Sequence, residues 1–147
     1  MPFLVTPFNE RSPMFSPDGR WLAYVSDESG RDEIYVQSYP ESSQKITVSS
    51  EGGTDPVWSK DGRELFYRSG DSLMAVPVKT GTVFTVGKPE KRFDRQMVLE
   101  PNPGTGSLNY DVSADGRFVM IIPTGRNHEL EVVLSWFEEL KRLVPTN

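Results

Sequence analysis

Short apolar runs alternate with polar turns along this chain, and one run-and-turn unit occurs three times. Phe15-Ser16-Pro17-Asp18-Gly19-Arg20-Trp21-Leu22-Ala23-Tyr24-Val25-Ser26 returns as Trp58-Ser59-Lys60-Asp61-Gly62-Arg63-Glu64-Leu65-Phe66-Tyr67-Arg68. It returns again as Val112-Ser113-Ala114-Asp115-Gly116-Arg117-Phe118-Val119-Met120-Ile121-Ile122. Each copy reads as strand, tight turn, strand. Ser-x-Asp-Gly suits a type I turn closed by a left-handed glycine: the Ser hydroxyl bonds the turn backbone and Gly supplies φ > 0. Asp18, Gly19, Asp61, Gly62, Asp115 and Gly116 are therefore read as turn-structural residues. The strands after the turns are apolar on both faces, as expected of a sheet lying between two layers.

The spacing sets the architecture. Asp18 and Asp61 stand 43 residues apart, and Asp61 and Asp115 stand 54 apart. A period of roughly 40–45 residues is that of a four-stranded propeller blade. The longer second interval predicts an insertion loop at 96–107, rich in Pro and Gly. The first repeat (3–49) predicts strands at Pro13–Ser16, Arg20–Ser26, Glu33–Tyr39 and Lys45–Ser49. The second (50–95) predicts Asp55–Ser59, Arg63–Ser69, Ser72–Val78 and a less regular Lys91–Asp94, with a strand-like stretch at Val83–Val86. The third (108–137) predicts Leu108–Ser113, Arg117–Pro123 and Glu131–Ser135. Helical spacing over 136–144, stopped by Pro145, predicts a short C-terminal helix. The fold class is all-β: a single propeller-type domain of three four-stranded blades, half of a six-bladed ring, with that helix.

Phe3-Leu4-Val5-Thr6 matches the last strand of the first repeat, Ile46-Thr47-Val48-Ser49, so it reads as the outer strand of a blade with no other strands upstream. The third repeat lacks a fourth strand. Three blades are too few for a ring, and unpaired strand edges template association. Head-to-tail pairing of two copies would let Phe3, Leu4, Val5 and Thr6 of one close against Val132, Val133 and Leu134 of the other. A longer chain carrying the other blades, or an open filament, would serve the same need.

Composition narrows the partners. Of 147 residues, 36% are hydrophobic and 25% charged, with a net charge of −5. That charge argues against nucleic acid or an anionic membrane as partner. No apolar run reaches the roughly 20 residues of a membrane span. The start, Met1-Pro2-Phe3-Leu4-Val5, has no basic region before an apolar one, so no secretory signal is read there. Compartment stays open: cytoplasmic for a complete chain, periplasmic for a fragment. The chain has no cysteine, which excludes disulfides and thiolate metal sites.

The residues resemble a known family. Ser16-Pro17-Asp18-Gly19-Arg20-Trp21-Leu22-Ala23-Tyr24 followed by Ile34-Tyr35-Val36 resembles the TolB-type β-propeller repeat, a relative of the WD repeat. Thr6-Pro7-Phe8-Asn9-Glu10-Arg11, Asp61-Gly62-Arg63-Glu64-Leu65-Phe66-Tyr67 and Val133-Leu134-Ser135-Trp136-Phe137-Glu138-Glu139-Leu140 are similar to the C-terminal part of bacterial multidomain proteins, where such propellers follow a serine/threonine kinase domain. The resemblance implies six blades, binding of proteins or peptides at the ring's faces or channel, and no chemistry of its own.

His128, the one histidine, falls in the polar stretch 124–129, read as a loop. A Ser-His-Asp hydrolase would need it beside a nucleophile and an orienting carboxylate, and no such arrangement is legible. Asp27, Glu28, Asp32 and Glu33 cluster near a hairpin without the spacing of a calcium loop and read as a solvated surface. Gly104-Thr105-Gly106-Ser107 lacks the Lys of a phosphate loop. Ser12, Asp55 and Asn109 align across the three repeats on the innermost strands, and lie on a candidate partner-binding surface. Asn102 and Thr105 of the insertion join it as loop residues over a rigid scaffold. No cofactor or metal is expected. The function expected is a non-enzymatic scaffold that assembles with itself and binds a protein or peptide. The alternatives are a hydrolase working in the central channel, or a fragment of a multidomain kinase sensor region.

Overall fold

The computed structural model describes residues 2–94, 108–124 and 127–133, with residues 123, 124 and 127–133 described as backbone only. Three antiparallel sheets follow one another along the chain. Sheet 1 runs in the order β1 (Glu10–Phe15), β2 (Trp21–Ser26), β3 (Glu33–Ser38), β4 (Lys45–Thr47). Sheet 2 starts with β5 (Thr54–Trp58), β6 (Glu64–Ser69) and β7 (Ser72–Thr80). Two short strands then share the outer edge of β7: β9 (Glu90–Asp94) along Ser72–Ala75 and β8 (Phe84–Val86) along Val78–Thr80. Sheet 3 has three described strands, β10 (Tyr110–Val112), β11 (Phe118–Thr124) and β12 (Asn127–Val133). Among the described residues, only the first sheet is a simple four-stranded one. The insertion 96–107, the helix expected at 136–144 and Leu134 lie outside the described residues.

The three turns have one construction. Gly19, Gly62 and Gly116 sit at φ of 71°, 70° and 81°, where a β-carbon would be strained. Each donates its N–H to the carbonyl of the turn serine, at 2.8 Å for Ser16, 3.0 Å for Ser59 and 3.0 Å for Ser113. Each serine hydroxyl donates to the turn aspartate, Ser16 to Asp18 at 2.6 Å and Ser59 to Asp61 at 2.7 Å, with Ser113 on Asp115 in the same way. The same oxygen accepts an N–H from the returning chain, from Trp21, Glu64 and Arg117. The third turn closes one residue early. Ser113 N–H reaches the carbonyl of Arg117, whereas Ser16 and Ser59 reach those of Trp21 and Glu64.

That difference fixes which residues face which neighbour. Opposite pairs are Phe15 with Leu22, Trp58 with Leu65, and Val112 with Phe118. Each sheet therefore has a rear face, carrying Phe15, Leu22 and Tyr24 in sheet 1, Trp58, Leu65 and Tyr67 in sheet 2, and Val112, Phe118 and Met120 in sheet 3. The forward faces carry Met14, Ala23 and Val25, then Val57 and Phe66, then Val119 and Ile121. The forward face of sheet 1 meets the rear face of sheet 2 in one core: Trp21, Ala23, Val25, Ile34 and Val36 against Trp58, Leu65, Tyr67 and Phe84. The forward face of sheet 2 meets the rear face of sheet 3 in another: Val57, Phe66, Leu73 and Ala75 against Tyr110, Val112, Phe118 and Met120. Rings lock both layers. Trp21 lies 5.0 Å from Phe84, and Phe66 meets Phe118 edge-on at 5.0 Å. The Trp58 indole donates to the Met14 carbonyl at 3.1 Å, across the first interface. Burial of each large apolar side chain contributes about 1.5–3 kcal/mol, so these two layers carry most of the stabilisation.

Two expectations change. Phe3–Thr6 forms no strand in the isolated chain. Pro2 and Pro7 bracket it and remove ladder donors, and its Phe3 ring instead packs edge-on against Tyr39 at 5.2 Å. His128 lies in a strand rather than a loop, its backbone paired with Pro123 in the β11–β12 hairpin.

The turn carboxylates predict an acid response. The Ser59 hydroxyl and Arg63 amide hold Asp61 below its ordinary range, and Ser113 and Arg117 do the same for Asp115. Burial pushes Asp18 up, but bonds from Ser16 and Arg20 outweigh it and leave it lowered. A folded-state pKa below the unfolded one gives stability that is full above the unfolded value and lost as pH falls through the folded value. Melting temperature is expected to drop from about pH 5 towards pH 2, and to drop less steeply in the D18N/D61N/D115N variant. Thermal melts of both proteins across that range check this.

Candidate functional site

At the end of the sheets opposite the serine turns, the first strands carry an unusual backbone. Ser12 and Asp55 hold φ of 53° and 54°, the left-handed region, without being glycine. Both occupy a bulge, where the β1–β2 register shifts between Arg11 and Met14 and the β5–β6 register shifts between Thr54 and Val57. Pro13 and Pro56 follow. Proline has no N–H to give a ladder, which suits a bulge. A non-glycine residue held there costs on the order of 1–3 kcal/mol and persists only where its surroundings enforce it. Asn109 aligns with them but keeps an ordinary conformation, its carbonyl accepting the Ile121 N–H at 2.9 Å.

Asp55 is the centre of a buried polar group between sheets 2 and 3. The Tyr110 hydroxyl donates to the Asp55 carbonyl at 2.6 Å. Arg68 Nη1 stands 3.5 Å from the Asp55 carboxylate, and Arg68 Nη2 donates to the Gly70 carbonyl at 3.4 Å. Only 4% of the Arg68 side chain is exposed, and its Nε–H has no acceptor among the described residues. Burial, with the Asp55 carboxylate adding to it, pushes the Tyr110 hydroxyl well above its ordinary pKa. The Tyr110 proton is committed to the Asp55 carbonyl and the Asp55 carboxylate is paired with Arg68, which leaves the Arg68 Nε–H as the group's spare donor, suited to an acceptor such as a carbonyl or carboxylate.

Of the residues singled out by sequence, Asp55 and the residue after Asn109 are brought together. Ser12 stands at the matching point of β1, and β5 touches both β1 and β10. Asn102 and Thr105 lie outside the described residues. Arg68 and Tyr110 were not foreseen. One signal was there: Arg68 replaces an apolar residue, at the place held by Val25 in sheet 1 and Ile121 in sheet 3.

Within the acidic cluster Glu33 alone departs from a solvated surface, while Asp27, Glu28 and Asp32 stay partly exposed. Glu33 is 2% exposed and accepts from the Ser49 hydroxyl, from the Gly52 N–H at 3.0 Å and from Arg31 Nε at 2.7 Å. It ties the β4–β5 connection to β3. Asp27 accepts from Asn9, Asp32 from Arg11, and Glu28 from Lys45. Each acid thus has its own partner, and no group of three metal-ligating side chains occurs among the described residues.

The bulge conformation makes a prediction of its own. Ser12→Gly should leave the melting temperature within a few degrees of the parent, because the strain it relieves is offset by greater freedom of the unfolded chain. Ser12→Val should destabilise by about 1–3 kcal/mol, since a β-branched residue is a poor occupant of positive φ. Thermal or denaturant melts check the ordering.

Comparison with known proteins places this geometry. A family model, prolyl oligopeptidase, N-terminal beta-propeller domain, matches residues 10–133. The chain is 44% identical over 57 residues to the Tol-Pal system protein TolB of Alcanivorax borkumensis, covering 37% of this chain and 13% of that protein. It is 38% identical over 55 residues to the uncharacterized peptidase YuxL of Bacillus subtilis, covering 36% of this chain and 8% of that protein. Among solved structures, an oligogalacturonate lyase of Vibrio parahaemolyticus superposes with a TM-score of 0.57 at 22% identity, over 81% of this chain and 31% of that one. A putative 6-phosphogluconolactonase of Bacteroides uniformis does so with a TM-score of 0.50 at 17% identity, over 90% of this chain and 43% of that one. Those two likenesses concern the fold. The chain thus spans a small part of the curated relatives it matches. Its strand pattern and its match over 10–133 make it a member of the prolyl oligopeptidase N-terminal β-propeller domain family.

Proposed function

We propose that this chain is a non-catalytic propeller scaffold that binds a peptide or protein segment at the bulged end of its first strands, around Ser12, Asp55 and Asn109. The reading rests on one observation. Two non-glycine residues at the same repeat position hold a strained conformation, and one of them, Asp55, lies beside a buried arginine with a donor to spare. Strain kept at matching points of two repeats argues for use rather than accident. Arg68 supplies the spare donor and the Asp55 carboxylate is held in an ion pair with it, so the group suits the carbonyls or a carboxylate of a peptide better than it suits bond cleavage. The relatives are compatible with either role: one belongs by name to the Tol-Pal system, another is called a peptidase.

The test is a peptide array probed with the intact chain, alongside a screen of generic ester and peptide substrates. Peptide binding is expected to weaken at least tenfold in Asp55→Asn and in Arg68→Met, with melting curves confirming that the variants are folded, and no turnover is expected. Binding that neither substitution alters would overturn the reading. So would turnover that disappears in His128→Ala, which would favour the hydrolase alternative.

A further inference from the structure

The two outermost faces of the stack are the two halves of an interface that the chain already makes twice. We infer that the rear face of sheet 1 in one copy seats on the forward face of sheet 3 in a second copy. This inference is independent of the peptide site.

The rear face of sheet 1 is built to the pattern of the two rear faces that are buried. Phe15 stands where Trp58 and Val112 stand, Leu22 where Leu65 and Phe118 stand, and Tyr24 where Tyr67 and Met120 stand. Trp58 is 3% exposed and Val112 2%, covered by the sheet before them, whereas Phe15 is 49% exposed. Tyr39, whose ring meets Phe15 edge-on at 4.9 Å, is 42% exposed. Tyr24 and Tyr35 on the same face are already buried within the sheet, so the open part of the face is the adjoining pair Phe15 and Tyr39, an exposed aromatic pair of the kind that an interface covers.

The forward face of sheet 3 is its counterpart. Val119 stands where Ala23 and Phe66 stand, and Ile121 where Val25 and Arg68 stand. Both are partly exposed and, with Leu108, line a shallow, mainly apolar hollow of about 320 Å³. Asp111 departs from the pattern, standing where Met14 and Val57 stand. It is ion-paired with Lys60 at 3.5 Å, at the rim.

Contacts of this heterologous kind form a ring when the rotation closes and an open array when it does not.

Sedimentation equilibrium should give twice the chain mass, falling to the chain mass in Phe15→Glu and in Ile121→Glu. Because the chain has no cysteine, single-cysteine variants report the geometry. Phe15→Cys mixed with Asp111→Cys should cross-link through a short bifunctional maleimide, because the equivalent Trp58 and Met14 meet through the length of the indole within the chain and facing sheets lie about 10 Å apart, while neither variant should cross-link alone. A monomer at every concentration overturns the proposal, since both faces would then be stable in water. A dimer in which Phe15→Cys alone cross-links, or which survives both charge substitutions, overturns it as well. The charge variants sit at exposed or partly exposed positions, and melting curves separate lost association from lost folding.

Discussion

A sheet that is apolar on both faces needs a neighbour on each. Every other feature of this chain follows from that constraint. β2 shows it most plainly: Ala23 and Val25 are covered by the next sheet, whereas on the other side Tyr24 is covered from within its own sheet, by Tyr35 and Gln37, and Phe15, opposite Leu22, stays half exposed. The contribution on the forward side, about 25 cal/mol per Å² of apolar surface removed from water, is realised when a second sheet arrives at the right height. The serine turns set that height. Each fixes how many residues separate the first strand from the second, and so which face each side chain takes.

The third turn shows how strict the coupling is. It closes one residue early, which by itself would turn β11 over, because side chains alternate along a strand. The sequence compensates. Phe118 and Met120, rather than Val119 and Ile121, take the places of Leu65 and Tyr67, and the core between sheets 2 and 3 is preserved. Aligning the three copies on Asp-Gly could not reveal this, since the missing residue falls after the glycine. The turns themselves, most of the strands and the period were legible, because turn chemistry is local and nearly the same in the three copies. The second sheet's outer edge was only half legible. Val83–Val86 and Lys91–Asp94 both carried strand character, but their sharing of one edge depends on the nine-residue length of β7.

The candidate site was legible in position and not in character. Alignment placed Ser12, Asp55 and Asn109 on one level. Nothing in residue type announced that the first two would lie at positive φ, since neither serine nor aspartate requires it; the bulge before a proline imposes it. Nor did the sequence show that Glu33 would be buried, because its partners, Ser49 and Gly52, come from a loop many residues away. Buried polar groups of this kind depend on which loop passes overhead. The polar cluster of Asp55, Arg68 and Tyr110 sits at the seam between two sheets for the same reason, where a side chain from each side can reach it.

Coverage of both sheet faces is the requirement on which the structure turns, and the solvent contact of Phe15 tests it most directly. A fluorinated phenylalanine at position 15, followed by fluorine NMR across a dilution series, reports whether that ring is wet or covered. The account predicts an exposed signal in dilute protein that gives way to a buried one as concentration rises. A ring that stays exposed throughout, in a chain that remains folded, would contradict it.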